Sequence, residues 1–192
     1  AVAGSMADAQ GRERAIALVY ESGANGPVEV GRSLASDDKG FSSRFNSIAW
    51  SDQGTLLACG EEVGGIRMGN KETSATQPGS SRAFWASFSQ NGQLTDLSPC
   101  EFDHEQALAV RVDPDASNVF WVLTQKGNSG HLRKVTISSG GLQADGAFKT
   151  LSQPVDLFVS QKLVVIANPS DSGTIRVFDK NGEDLGSISS SS

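Results

Sequence analysis

The sequence predicts an all-β chain made from a repeated unit of four antiparallel strands, and three observations support this. Apolar residues alternate with a period of two, which is typical of half-buried strands, and no capped amphipathic helix pattern is present. The apolar segments are short, rich in β-branched and aromatic residues, and bounded by Gly, Asp, Asn or Ser. Tight-turn dipeptides also recur at a nearly constant spacing along the chain.

The first half of the unit is a hairpin of two apolar strands joined by a short polar turn. It occurs three times, as NSIAWSDQGTLLACG from Asn46, LAVRVDPDASNVFWVLTQ from Leu108 and VDLFVSQKLVVIANP from Val155. In each copy the apolar residues alternate on both sides of the turn, as expected for two paired strands.

The second half is another hairpin, which begins at Arg82, His131 and Thr174. Its turns are centred on Asn91-Gly92, Gly140-Gly141 and Asn181-Gly182, which accept positive φ angles at little steric cost. The turn glycines are 49 and 41 residues apart, close to the length of a four-stranded repeat.

An earlier hairpin from Ala15, with its turn at Asn25-Gly26, matches only the second half of the unit. The segment 60–81 is rich in Gly, Ser and Thr and is predicted to be a long mobile loop. The sequence thus predicts three and a half units in one domain over residues 15–188, with tails at 1–14 and 189–192.

Two stretches resemble a known repeat family. The segment Asp171 to Asp179, DSGTIRVFD, resembles the third strand of a blade in WD-repeat or lactonase-like β-propellers, and VRVDPDASNVFWVL resembles the strand, turn and strand that precede it. The resemblance covers most of residues 45–188. It implies a β-propeller-type arc of about three and a half four-stranded antiparallel blades.

The predicted arc begins and ends with outer strands, so its two ends do not complement each other. A small four-bladed ring with one reduced blade, an arc cut from a longer protein and an arc completed by another chain are all compatible with this. We expect an arc that needs a partner or the remainder of a longer protein, because an uncovered blade face exposes an apolar patch. An ordinary β-sandwich is the alternative fold.

Composition excludes several classes of partner. The formal net charge is −6 and the longest cationic run is Arg133-Lys134, so a nucleic-acid partner is not expected. No apolar run approaches the roughly 18 residues that a membrane-spanning helix needs, so a membrane is not expected either. Cys59 and Cys100 do not define a disulfide framework, which favours an intracellular protein.

The aromatic residues suggest one binding site. Strand alternation places Trp85 on the face of Ser87 and Ser89, so Trp85 together with Arg82 is the leading candidate for a partly exposed binding hot spot. For Trp85 itself, packing between adjacent blades is favoured over exposure. Trp50 is expected in the core between blades.

Three polar residues lie near predicted inner strands, where a propeller enzyme would gather its substrate: His104, Arg111 and Asp156. His104 stands between acidic residues and is a candidate proton carrier or binding residue, although a solvated loop explains the same sequence. His131 has no second histidine or cysteine at zinc-ligand spacing.

The segment Asp113-Pro-Asp115-Ala-Ser117 has the oxygen spacing that begins a calcium loop, but Asn118 and Thr124 stand where such a loop has Gly and Glu. A turn between two strands is therefore favoured. A nucleophile elbow and glycine-rich phosphate or dinucleotide loops do not occur, so no cofactor or metal is expected.

These observations favour a non-catalytic module that binds a protein or peptide partner through a rigid β scaffold. A structural piece of a larger assembly or oligomer is the second hypothesis. The third, implied by the resemblance, is an enzyme similar to propeller lactonases or cycloisomerases.

Overall fold

The structure, a computed structural model, describes residues 1–35, 42–73, 81–145, 149–168 and 174–189. In this part of the chain the regular structure consists of β-strands, with no helix, which confirms the all-β prediction. The strands form four successive antiparallel sheets and one small hairpin.

Sheet 1 consists of β1 (Val2–Ala7), β2 (Glu13–Gly23) and β3 (Gly26–Leu34), in that order. The predicted hairpin from Ala15 is β2 and β3, with its turn before Gly26. Residues 1–14 differ from the expected tail, because β1 pairs with β2. The Asp8 carboxylate closes the turn between these two strands by accepting the backbone N–H groups of Gln10 and Arg12 at 2.9 and 2.8 Å.

Sheet 2 contains four strands in the order β4, β5, β8, β9, and a small hairpin of β6 and β7 is inserted between β5 and β8. The strands are β4 (Ser43–Trp50), β5 (Leu56–Val63), β6 (Arg67–Met68), β7 (Lys71–Glu72), β8 (Ser81–Phe88) and β9 (Leu94–Asp103).

The prediction of one long mobile loop over residues 60–81 is wrong for the described part of that segment. Its first residues continue β5, and the β6–β7 hairpin follows. Ile66 and Met68 are buried in the core, because the hairpin folds back against sheet 1, where Ala35 bridges to Met68. Residues 74–80 lie outside the described part of the chain.

Sheets 3 and 4 follow the predicted unit. Sheet 3 has the order β10, β11, β12, β13, with β14 pairing to β12, and sheet 4 has the order β15 to β18. The strands are β10 (Gln106–Asp113), β11 (Ala116–Lys126), β12 (Ser129–Ser138), β13 (Gly141–Ala144), β14 (Lys149–Ser152), β15 (Asp156–Val159), β16 (Leu163–Asn168), β17 (Thr174–Asp179) and β18 (Asp184–Ile188).

The hydrophobic core is divided into three clusters, each between two consecutive sheets. The cluster between sheets 1 and 2 contains Ala17, Phe45 and Phe84, and the one between sheets 2 and 3 contains Trp85 and Phe120. The cluster between sheets 3 and 4 is built around Trp121, Ile166 and Phe178. Sheets 2 and 3 are therefore buried on both faces.

The first strands of consecutive sheets also contact one another: β1 contacts β4, β4 contacts β10, and β10 contacts β15. Trp50 does not join the core as expected, since its side chain is 37% exposed. It is the last residue of β4.

Candidate functional site

Arg82, predicted to bind a partner, forms a structural ion pair. Its Nε lies 2.6 Å from Oε1 of Glu62, a fully buried carboxylate on the neighbouring strand β5. Glu62 also accepts the Thr73 hydroxyl at 2.7 Å, and that hydroxyl accepts the Ile66 amide at 2.9 Å. The Arg82–Glu62 pair therefore anchors the β6–β7 hairpin to sheet 2.

Trp85, the partner of Arg82 in that hypothesis, is 1% exposed and packs in the cluster between sheets 2 and 3. The structure has the favoured packing between sheets, and the hypothesis of a partly exposed hot spot at Trp85 is wrong. The physical reason is that β8 has a sheet on each side, so even its Ser-containing face is covered. Its indole Nε1 has no hydrogen-bond partner among the described residues.

Of the three residues near the predicted inner strands, the structure joins two. Arg111 on β10 and Asp156 on β15 form an ion pair of 2.8 Å between sheets 3 and 4, with both side chains partly exposed. His104 lies apart, exposed in the turn between β9 and β10, with a positive φ of 63°. Its amide donates to the Ser81 carbonyl at 2.5 Å, so its backbone continues the pairing of β8 with β9 at the end of the two strands.

Sequence reasoning missed a buried polar cluster around Glu105, the residue that follows His104. The Glu105 carboxylate accepts one Arg133 N–H group at 2.9 and 3.0 Å and contacts His131 Nδ1 at 2.8 Å. The Cys100 thiol donates to it at 3.4 Å. His131 and Arg133 are two residues apart on β12 and therefore share a face of the strand. Two basic side chains on one face were the available sign that an acidic partner lies nearby.

The electrostatics of this cluster keep Glu105 ionised. Burial alone would raise the pKa of Glu105, but the Arg133 charge and the hydrogen bonds from Thr124, Cys100 and Arg133 outweigh it and lower the pKa below its ordinary value. Both the thiol and the imidazole are held by the carboxylate. The arrangement therefore joins β9 to β12 as a structural ion cluster.

The Asp113–Asp115 turn is occupied by a side chain of sheet 4. Lys180 Nζ lies 2.7 Å from Asp113 Oδ1 and 2.7 Å from Asp115 Oδ2, and Trp121 Nε1 donates to Asp113 Oδ2 at 2.9 Å. Burial opposes ionisation of Asp113, but the bonds from Lys180 and Trp121 lower its pKa. This turn therefore joins sheets 3 and 4 through an ammonium group.

Within the described residues, no group of three or more His, Cys, Asp and Glu side chains is placed to hold a metal ion. Cys59 and Cys100 are both buried and are not joined by a disulfide, and burial raises the pKa of the Cys59 thiol to about 12. A helix long and apolar enough to cross a membrane is not found in the part of the chain that was described.

The strongest candidate for an interaction surface is the outer face of sheet 4, which no other sheet of the described residues covers. Phe158 and Ile188 are 62% and 63% exposed. Strand register places both on the face opposite the buried residues Leu157 and Ile166. The other apolar residues of this face are Val165, Ala167, Ile175 and Val177.

The outer face of sheet 1, at the other end of the stack, is also apolar. Val2 and Tyr20 are 57% and 38% exposed and lie on the face opposite Ala17 and Val19, which are buried. Ile16, Leu18 and Leu34 share this face through the registers of β1, β2 and β3. We call the outer faces of sheets 1 and 4 the terminal faces.

No protein-family model matches the chain, and no curated protein matches it. Among solved structures, it is similar to one described as "Crystal structure of the eukaryotic initiation factor". The identity is 9% and the TM-score is 0.49, and the match covers 92% of this chain and 52% of that one. The chain thus spans about half the length of that structure.

Proposed function

We propose that the chain is a non-catalytic protein-interaction module made of β-propeller-type blades, and that its two terminal faces are covered by further blades in the complete assembly. These blades belong to a partner chain or to the remainder of a longer protein. In this arrangement the four sheets are consecutive blades of an arc.

Three features support the propeller arrangement. The sheets are stacked serially with one core cluster between each neighbouring pair. Their first strands contact each other in order, as strands around a common axis do. Polar links such as Lys180 to Asp113 also connect successive sheets at their turns.

The observation that carries the proposed interaction is the contrast between internal and terminal faces. Phe120 and Trp121, adjacent on β11, are both fully buried, one on each face of sheet 3. On sheet 4, in contrast, Leu157 is buried on the inner face, whereas its neighbour Phe158 lies on the outer face and is 62% exposed. An apolar face of this kind on a protein surface marks an interaction site, because covering it releases water from apolar surface.

The enzyme hypothesis has one feature in its favour, since Arg111 and Asp156 lie on inner strands with partly exposed side chains. Each neutralises the other at 2.8 Å, however, which leaves His104 as the remaining candidate acid or base. Turnover of a panel of lactones that is lost on His104→Ala would favour the enzyme over the module.

The test uses sedimentation of the purified chain over a wide range of concentration. We expect concentration-dependent self-association of the uncovered chain, and Phe158→Asp should suppress it by placing a charge on the apolar face. Gln161→Asp, which adds the same charge in the neighbouring β15–β16 turn, should leave association unchanged. A chain that stays monomeric at every concentration and whose mass does not respond to Phe158→Asp would contradict the proposal.

A further inference from the structure

Sheet 1 has fewer strands than the sheets that follow it. Sheets 2 and 4 have four strands and sheet 3 has five, whereas sheet 1 ends at its third strand, β3. The first strand of sheet 1, β1, contacts β4, the first strand of sheet 2, so β1 is the innermost strand of sheet 1. The fourth strand that sheet 1 lacks among the described residues would therefore be the outermost one, next to β3. The β3 strand is therefore an edge.

The outer edge of β3 carries backbone groups that point away from β2. The Ala35 amide donates to the Ala15 carbonyl at 2.9 Å, which fixes which residues of β3 face inward. Antiparallel pairing alternates, so Ser33 bonds towards β2 while the N–H and C=O groups of Arg32 and Leu34 point outward. An edge of this kind is a template for another strand.

A groove runs along this edge. It has a volume of about 550 Å³ and is lined by residues 30–34 of β3, by residues 68–70 of the β6–β7 hairpin and by residues 91–94 of the β8–β9 turn. The five residues of β3 that line the groove span about 17 Å as an extended strand. The fourth strand of sheet 1 would occupy this position.

Sheet 2 shows which side chain such a strand needs. Its outermost strand, β9, carries Asp96, whose Oδ2 accepts the Leu142 amide of sheet 3 at 2.7 Å. The other carboxylate oxygen of Asp96 accepts Lys71 Nζ at 3.0 Å. Burial opposes ionisation of Asp96, but these hydrogen bonds lower its pKa, so the group that bridges to the next sheet is a carboxylate.

The equivalent amide of sheet 2 faces the groove. Leu94 follows the β8–β9 turn as Leu142 follows the β12–β13 turn. The Ser89 amide donates to the Gln93 carbonyl at 2.9 Å, so this carbonyl points towards β8. The Leu94 N–H belongs to the same peptide group and therefore points away from β8. In the described residues, sheet 1 has no outermost strand that could supply a carboxylate to this amide.

We propose that the edge of β3 binds an extended segment of a partner protein, which adds antiparallel to β3 as the fourth strand of sheet 1 and carries an acidic side chain that accepts the Leu94 amide. Main-chain hydrogen bonds from Arg32 supply part of the affinity, and the carboxylate sets the register. The partner segment ends before Leu34, which lies beside the β6–β7 hairpin where Ala35 bridges to Met68. This inference rests on the proposed interaction module but uses an edge of sheet 1 instead of a terminal face.

The chain itself offers a probe, because β9 occupies the equivalent place on sheet 2. The probe is a fluorescently labelled peptide of residues 93–103 with Cys100→Ser, titrated into the full chain and followed by fluorescence anisotropy. We expect saturable binding and slower hydrogen exchange of the Arg32 amide. A peptide with Asp96→Asn should bind about tenfold more weakly, because it loses a charge-assisted hydrogen bond.

Two protein variants locate the site. Arg32→Pro removes an outward N–H group and should weaken binding about tenfold, whereas Leu185→Pro, on the exposed edge strand β18, should not. Absence of peptide binding, or binding that tolerates both Arg32→Pro and the peptide change Asp96→Asn, overturns the proposal. Self-association of the chain that Arg32→Pro abolishes overturns it in favour of a second copy. The outcome with Phe158→Asp tests the terminal face separately.

Discussion

Phe84 and Trp85 are consecutive residues of β8, yet each is buried in a different core. The Phe84 ring lies 5.0 Å from the Phe45 ring in the cluster between sheets 1 and 2. Trp85 lies on the other face of the strand, in the cluster between sheets 2 and 3. A strand with two buried faces belongs to a sheet that is covered on both sides, which two face-to-face sheets do not provide.

The two buried tryptophans should respond differently to replacement by phenylalanine. Trp121 Nε1 donates to Asp113 at 2.9 Å, whereas Trp85 Nε1 has no partner among the described residues. Trp121→Phe therefore removes a donor from a nearly buried carboxylate, while Trp85→Phe removes an unsatisfied one. We expect the free energy of unfolding to fall by about 1–2 kcal/mol more for Trp121→Phe, measured by urea denaturation. Equal losses would contradict this account.

Glu105 should be among the most costly polar residues to change. Glu105→Gln removes the negative charge that faces the Arg133 guanidinium. The side chain of Arg133 is 3% exposed, so its positive charge then stays buried without this carboxylate. Breaking a buried pair costs about 3–5 kcal/mol of unfolding free energy. The control is Asp156→Asn, which breaks an exposed pair and should cost less than about 1 kcal/mol. Similar effects of the two substitutions in chemical denaturation would argue against a buried ion cluster.

The pH dependence of stability follows from the same carboxylates. The pKa of Glu105 and the pKa of Asp113 lie below their ordinary values of 4.5 and 3.8 in the folded chain. Each carboxylate therefore contributes fully to stability above the pKa that it has in the unfolded chain. This contribution is lost as the pH falls through the lower pKa that the same group has in the folded chain. We expect the melting temperature to decrease as the pH falls below about 4.5, and less steeply in Glu105→Gln. A melting temperature that rises on acidification would contradict this.

Much of the fold could be predicted because strand alternation and hairpin turns are local signals. The three predicted pairs of hairpins correspond to sheets 2, 3 and 4, and Gly92, Gly141 and Gly182 all have positive φ angles at their turns. Strand β1 was missed because its sequence, VAGSMA, contains small residues without clear alternation. The β6–β7 hairpin was missed for a different reason, because its burial depends on contacts with sheet 1 that are distant in sequence.

The polar sites were harder to predict, because their partners come from distant strands. The sequence indicates Arg82 as a binding residue beside Trp85, but its counter-ion Glu62 lies twenty residues away on the adjacent strand. Glu105 and Arg133 are 28 residues apart, and only the register of neighbouring sheets brings them together. Trp85 was assigned to an exposed face because a strand with serines at alternate positions resembles one that faces solvent. Local alternation does not reveal whether another sheet covers that face.

The approach of sheet 1 to sheet 2 depends on the absence of a side chain at Gly31. A Cβ atom at this position would lie 2.0 Å from the Asn91 carbonyl oxygen, a backbone atom in the β8–β9 turn. Gly31→Ala therefore forces the two sheets apart, and we expect it to lower the free energy of unfolding by about 1–3 kcal/mol. Gly4→Ala is the matched control, since no atom lies within 4 Å of its added Cβ. Denaturation by urea compares the two variants, and a Gly31→Ala chain as stable as Gly4→Ala would show that the sheets do not touch at this point.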